Sequence, residues 1–208
     1  MMLSLSDISI RFGEEHVFEH FSCEVERGGF ACITGMSGCG KTSLLKAIIG
    51  LVRIDAGKIN INGCGLNEKT CNSVRKSVMY LPQELSFPGE YVNEFIAYIL
   101  KVGRVKDVQK CTDKLYKNLY LLGLEKELLS KRLSEISGGQ RQRMMLATLA
   151  LLDRELWLLD EPTASLDEAS RDKVIRFLLD KQREGKTIVA VSHDTCFASH
   201  CSTHIRLA

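Results

Sequence analysis

The sequence predicts an α/β fold, with a mostly parallel sheet at its centre, antiparallel β strands ahead of that sheet and an inserted helical subdomain. Three observations predict it. Apolar runs of strand length alternate with amphipathic stretches of helix length, the pattern of a parallel sheet covered by helices. A glycine-rich stretch at residues 35–43 lies between a strand pattern and a helix pattern. Beyond Gln83 the apolar residues fall at helical spacing. With 208 residues, 45% of them hydrophobic, the chain has the size of one domain and can hide roughly 70% of its unfolded surface without staples.

In chain order, LSLSDISIRF (3–12) and FEHFSCEVE (18–26) alternate apolar and polar residues, the period of half-buried strands. FACIT (30–34) is uninterrupted and predicts a strand buried in a sheet core. A helix from Lys41 to about Leu51 follows, then strands at KINI and SVMYLP. Val92, Phe95, Ile96, Ile99 and Leu100, then Leu115, Leu119 and Leu122, have helical spacing, with Gly103 and Gly123 as stops. Strands return at ELWLLD and TIVAVS, separated by a helix from Glu168 to Arg183, and THIRL is the last strand. The expected organisation is one domain over 1–208, with 1–83 and 153–208 as its core and 84–152 as the inserted helical subdomain.

Charge and composition exclude several classes. Lys plus Arg exceed Asp plus Glu by 28 − 26 = 2, and no block of like charges occurs, so nucleic acid is not the expected partner. The longest apolar stretch, 144–152, is nine residues, far below the roughly 20 that a membrane helix needs. No basic-then-apolar leader opens the sequence, so a cytoplasmic location is expected. Eight cysteines without a CxxC pair read as reduced thiols, Cys23 and Cys32 among them as small strand residues.

Chemistry concentrates at two places. Gly35-Met36-Ser37-Gly38-Cys39-Gly40-Lys41-Thr42, followed by Ser43, fits GxxxxGK[ST] in the strand-to-helix context that a P-loop requires, so the core is expected to be that of a P-loop NTPase. Glycines let backbone N–H groups turn towards phosphate oxygens, and the helix that follows adds its positive end. Lys41 would neutralise the outer phosphates of ATP, and Thr42 would give a hydroxyl to Mg²⁺. The second place is Asp160-Glu161, which ends an apolar strand at the sheet edge where ligands of open α/β folds sit. Asp160 suits Mg²⁺, and Glu161 could orient or deprotonate a water attacking the terminal phosphate. Both could instead be ordinary strand-end charges.

Ile136-Ser137-Gly138-Gly139-Gln140, followed by Arg141-Gln142-Arg143, closely resembles the signature motif of ATP-binding cassette (ABC) ATPases, with Ile where Leu is usual. The resemblance runs through the chain in family order: Phe12 as the A-loop aromatic, the P-loop, Gln83 as the Q-loop glutamine, the signature, Asp160-Glu161, Ser165-Leu166-Asp167 as the D-loop, and His193 as the switch histidine. It implies an ATPase subunit that holds two ATP between two head-to-tail cassettes and serves a separate integral membrane permease, peripheral on the inner face of the plasma membrane. In that reading Glu161, His193, Lys41 and Gln83 are catalytic, and Thr42, Gln83 and Asp160 hold Mg²⁺. Phe12 stacks on adenine, while Ser137, Gly138, Gly139, Gln140 and Asp167 meet the nucleotide across the dimer. The second cassette can be an identical or a different chain.

Each motif also has a structural reading. Phe12 could simply end an edge strand. Ser137 is a good N-cap, and Ser165 with Glu168 reads as a capping box. Leu85, Phe87 and Tyr91 could contact the permease or pack beneath their own loop. His193, Cys196, His200, Cys201 and His204 fall within twelve residues, but no second ligand pair has structural-zinc spacing. The chain stops after THIRL, so no C-terminal regulatory domain is expected. Cys39 inside the phosphate loop is expected to make activity thiol-sensitive. A cassette acting on nucleic acid or ribosomes is the alternative, and a P-loop kinase leaves the 137–140 motif and His193 unexplained.

Overall fold

Strand and helix follow one another much as the apolar pattern dictates. The structure, a computed structural model, describes residues 1–105 and 107–207, the side chains of 108–110 apart. The chain opens with the hairpin β1 (Leu3–Phe12) and β2 (Glu15–Val25), then β3 (Phe30–Thr34), α1 (Lys41–Ile48), β4 (Ala56–Ile61), β5 (Cys64–Gly65), α2 (Cys71–Ser77) and β6 (Val78–Leu81). Helices α3 (Val92–Val102), α4 (Val108–Leu121) and α5 (Gly138–Leu149) come next, with 3₁₀ turns between α4 and α5. β7 (Leu156–Asp160), α6 (Glu168–Arg183), β8 (Thr187–Val191), α7 (Thr195–Ser199) and β9 (Thr203–Arg206) complete it.

The strands form two sheets. One is antiparallel, in the order β2-β1-β4-β5, and the other is wholly parallel, in the order β6-β7-β8-β3-β9. Every residue of β7 and β8 is buried, as expected of strands covered on both faces. Alternation then sorts them between two cores. Trp157 and Leu159 face the cluster that also holds residues of α3, α4, α5 and α6, while Leu156 and Leu158 face α1 and the antiparallel sheet. The fully buried Trp157 satisfies its indole N–H on the Arg154 carbonyl at 3.0 Å, and its loss to Ala would cost about 3–5 kcal/mol.

Three local details differ from the sequence reading. α2 is a helix where the sequence pattern gives none, and α7 is a single short helix ahead of the last strand. α2 buries only Val74, so its sequence CNSVRKS carries no apolar period to betray it. The start of α6 is capped by Asp167, whose side chain accepts from the Ser170 N–H at 2.8 Å, and not by a Ser165–Glu168 capping box. Ser165 instead takes a left-handed φ of +61° in the turn before that cap. Among the described residues no helix is long and apolar enough to cross a membrane.

Candidate functional site

The carboxyl ends of β3, β7 and β8 and the N-terminus of α1 meet at one cavity of about 470 Å³. It is lined by Ser37, Gly38, Gly40, Lys41, Thr42 and Ser43 of the loop and first turn of α1, by Gln83, by Asp160 and Glu161, and by His193. Gly40 is the N-cap of α1 with φ +93°, and a Cβ there would lie 2.3 Å from Val17 Cγ1 of β2, so the close approach of the antiparallel sheet also requires glycine. Lys41, only 6% exposed, donates to the carbonyl oxygens of Met36 at 2.6 Å and Gly35 at 3.0 Å. Its ammonium therefore braces the loop that curls around it, at the positive end of α1.

Asp160 ends β7 and is 1% exposed. Burial pushes its carboxyl above the ordinary range, opposed by the neighbouring Thr42 and Tyr80 hydroxyls and by the charges of Lys46 and Lys41. Its Oδ1 is buried without a hydrogen-bond partner. A buried, orphaned carboxylate oxygen beside a threonine hydroxyl and the Gln83 side chain is an all-oxygen donor set, the kind that Mg²⁺ prefers, so these residues fit that ion.

Glu161 has a left-handed backbone, φ +51°, which costs a non-glycine residue about 1–3 kcal/mol. Its N–H donates to the Val191 carbonyl at 2.9 Å, and its own carbonyl accepts from Gln142 Nε2 at 2.7 Å and from the Ala164 N–H at 3.1 Å. The carboxylate Oε2 accepts from the His193 N–H at 3.4 Å, while Oε1 is buried, unbonded and 3.6 Å from His193 Nε2. Burial pushes this carboxyl up as well, and the His193 backbone N–H pulls it back. A carboxylate with one oxygen held and the other free, raised towards neutrality, is equipped to take a proton from water.

Other residues singled out in the sequence lie apart from this cavity. Phe12, at the end of β1, is 54% exposed, and Met36 at the loop tip is 81% exposed. Ser137, Gly138, Gly139 and Gln140 start α5, where Ser137 and Gln140 exchange hydrogen bonds in a capping box. Gly138 borders a separate groove of about 410 Å³, shared with Gln83, Leu85, Phe87 and Ser165. Asp167 faces Ser170 rather than the phosphate loop. Leu85 and Phe87 pack against the core, Phe87 edge-on to Phe95 at 5.0 Å, and Arg132 lies over the Tyr91 ring. The histidines and cysteines after residue 192 do not converge. His200 Nδ1 instead lies 2.8 Å from the Cys196 carbonyl, and among the described residues no three His, Cys, Asp or Glu side chains are placed to hold a metal. All eight cysteines are free.

Two residues at the site carried no role in the sequence reading. Tyr80 contacts Asp160 from the neighbouring strand β6, and Gln142 contacts Glu161 from α5. Tyr80 lies three residues before Gln83 on a strand ending at the same sheet edge, which is the one local signal for it.

The profile of the family described as ABC transporter matches residues 18–164. A putative ABC transporter ATP-binding protein of Treponema denticola is 30% identical over 203 residues, covering 92% of this chain but only 40% of that protein. The iron(3+)-hydroxamate import ATP-binding protein FhuC of Bacillus subtilis is 30% identical over 211 residues, covering 98% of this chain and 77% of that protein. Among solved structures, a dimeric ATP-binding cassette in a post-hydrolysis state bound to ADP and phosphate matches with a TM-score of 0.87 at 24% identity, over 99% of this chain and 94% of that one, a likeness of fold.

Proposed function

Because this chain belongs to the ABC transporter family, we propose that it binds ATP with Mg²⁺ in the cavity at the head of α1 and hydrolyses it to ADP and phosphate, driving solute transport through a separate membrane permease. The observation that carries this reading is the convergence of Lys41, Thr42, Gln83, Asp160, Glu161 and His193 on one cavity from four separate segments.

The geometry supports the following roles. Phosphate oxygens replace the Met36 and Gly35 carbonyls as acceptors for Lys41, and the N–H groups of the loop and of the first turn of α1 complete the cradle. Thr42, Asp160 and Gln83 would hold Mg²⁺, which would supply neutralisation of phosphate charge. Glu161 orients the attacking water and takes its proton at Oε1, and the His193 imidazole beside that oxygen donates towards the terminal phosphate. The exposed Phe12 ring offers a face for adenine. Residues 137–140 and Asp167, which lie outside the cavity of their own chain, serve the nucleotide of a second cassette arranged head-to-tail. The dimeric cassette of like fold supports that arrangement. Residues 1–83 and 153–208 act as the nucleotide-binding core and 84–152 as the helical subdomain, and the permease holds the subunit at the cytoplasmic face.

The test is Mg²⁺-dependent ATPase of the purified chain with its co-purifying permease. Losing the function of Glu161 should cost at least about 2.7–4 kcal/mol of transition-state stabilisation, by analogy with an oxyanion-hole donor, so Glu161→Gln binds ATP and accumulates as a dimer but scarcely turns over. Wild-type turnover in that variant refutes the assignment.

A further inference from the structure

Two parts of the chain meet at the Glu161 peptide. The core holds its N–H, through the Val191 carbonyl of β8 at 2.9 Å, whereas α5 holds its carbonyl, through Gln142 Nε2 at 2.7 Å. Gln142 lies about one turn beyond the capped start of α5 at Ser137. Two more observations place the same helix beside the segment that follows Glu161. A Cβ on Gly139 would come within 3.0 Å of Leu166 Cδ2, and the charge of Arg143 helps to hold the Asp167 carboxyl below its ordinary range. The first two turns of α5 therefore lie along residues 161–167.

We infer that Gln142 is a positioning residue for hydrolysis: its amide fixes the Glu161 carbonyl, and so the left-handed backbone from which the carboxylate reaches the cavity. The amide suits this task because it donates without bringing a charge beside a buried carboxylate that already lacks one hydrogen bond. Without it, among the described residues, the carbonyl keeps the Ala164 N–H alone, 3.1 Å away within its own turn and not on α5. The inference rests on the proposed role of Glu161. It adds that the helix presenting residues 137–140 to a twin cassette also holds the carboxylate of its own chain, so that one side chain joins the two ATP sites through a single subunit.

The experiment is steady-state ATPase with nucleotide binding measured in parallel. Gln142→Met keeps the length and apolar stem but cannot donate, and Gln142→Asn keeps the amide but is one methylene short. Both are expected to lower kcat at least tenfold while KM for ATP stays within twofold. Adding Gln142→Met to Glu161→Gln should leave ATP-driven dimer formation unchanged. A folded, ATP-binding Gln142→Met or Gln142→Asn protein with kcat within twofold of wild type overturns the inference, as does a tenfold rise in KM at unchanged kcat. Full turnover of Glu161→Gln alone is a different failure, since it overturns the reading beneath.

Discussion

The Tyr80 hydroxyl lies 3.5 Å from Oδ2 of Asp160, while the buried Oδ1 of the same carboxylate has no hydrogen-bond partner. The strand pair β6 and β7 sets this relationship, with Tyr80 beside Leu158 in parallel register and Asp160 two residues on. Each group favours the other's resting form, a neutral phenol beside a carboxylate. Burial pushes the Tyr80 phenol up, the nearby Asp160 charge pushes it further, and the phenol stays a neutral donor. Asp160 is raised because burial penalises its charge more than its neighbours favour it.

Replacing Asp160 should therefore stabilise the nucleotide-free protein while destroying its chemistry. A carboxyl whose folded pKa is raised binds its proton more readily folded than unfolded, so stability falls as pH climbs through that raised value. Asp160→Asn removes the burden at neutral pH and keeps a group that Tyr80 and Thr42 can bond. The gain should be about 0.5–2 kcal/mol in thermal or urea unfolding without nucleotide, in line with other function-for-stability exchanges. Mg²⁺-dependent hydrolysis should be lost in the same variant. A protein less stable than wild type at neutral pH would show that the charge is better compensated than its orphaned oxygen suggests.

At acid pH the opposite sign governs three other carboxylates. Glu94 is held below its ordinary range by the N–H groups of Glu90 and Tyr91, Asp153 by the Lys186 ammonium, and Asp167 by the Ser170 N–H and hydroxyl. A depressed carboxyl stabilises the fold above its unfolded pKa and loses that contribution as pH falls through the folded one. The window opens near pH 4, where free Asp and Glu titrate. The triple variant Glu94→Gln, Asp153→Asn, Asp167→Asn should be less stable than wild type at pH 7, and the difference should close as pH falls below about 4. Urea unfolding at stepped pH checks this. A gap that stays constant down to the lowest pH would mean that packing, not charge, ties these residues in.

What was legible in the sequence was what depends on neighbours along the chain. The loop before Lys41 declares itself because glycines, lysine and hydroxyl must sit at fixed spacing to surround an anion, and Asp160-Glu161 because an apolar run must end where charge begins. Ser137 was legible as a cap for the same reason, its partner Gln140 being three residues on. The remainder arises between segments far apart in sequence. Gln142 meets Glu161 across 19 residues and Tyr80 meets Asp160 across 80, and neither pairing leaves a local mark. Ser165 shows the converse error, since its spacing to Glu168 imitates a capping box while the left-handed turn hands the cap to Asp167.

Cys39 provides the last test, because it lies within the phosphate loop. Its Sγ is 3.9 Å from Lys41 Nζ and 3.8 Å from the Leu207 carbonyl, so an oxygen added to the sulfur arrives beside the loop lysine and the loop's own backbone. Mild peroxide carries a thiolate to sulfenic acid, which adds an oxygen at this point and leaves Lys41 with a new polar neighbour. ATPase should fall with oxidation, return with thiol reductant, and be spared when Mg·ATP is present during treatment. Cys39→Ser should keep activity and lose the sensitivity, which separates this thiol from the seven others. An oxidised wild type that hydrolyses ATP at its original rate, with mass spectrometry placing the oxygen on Cys39, would show that the loop tolerates the added atom.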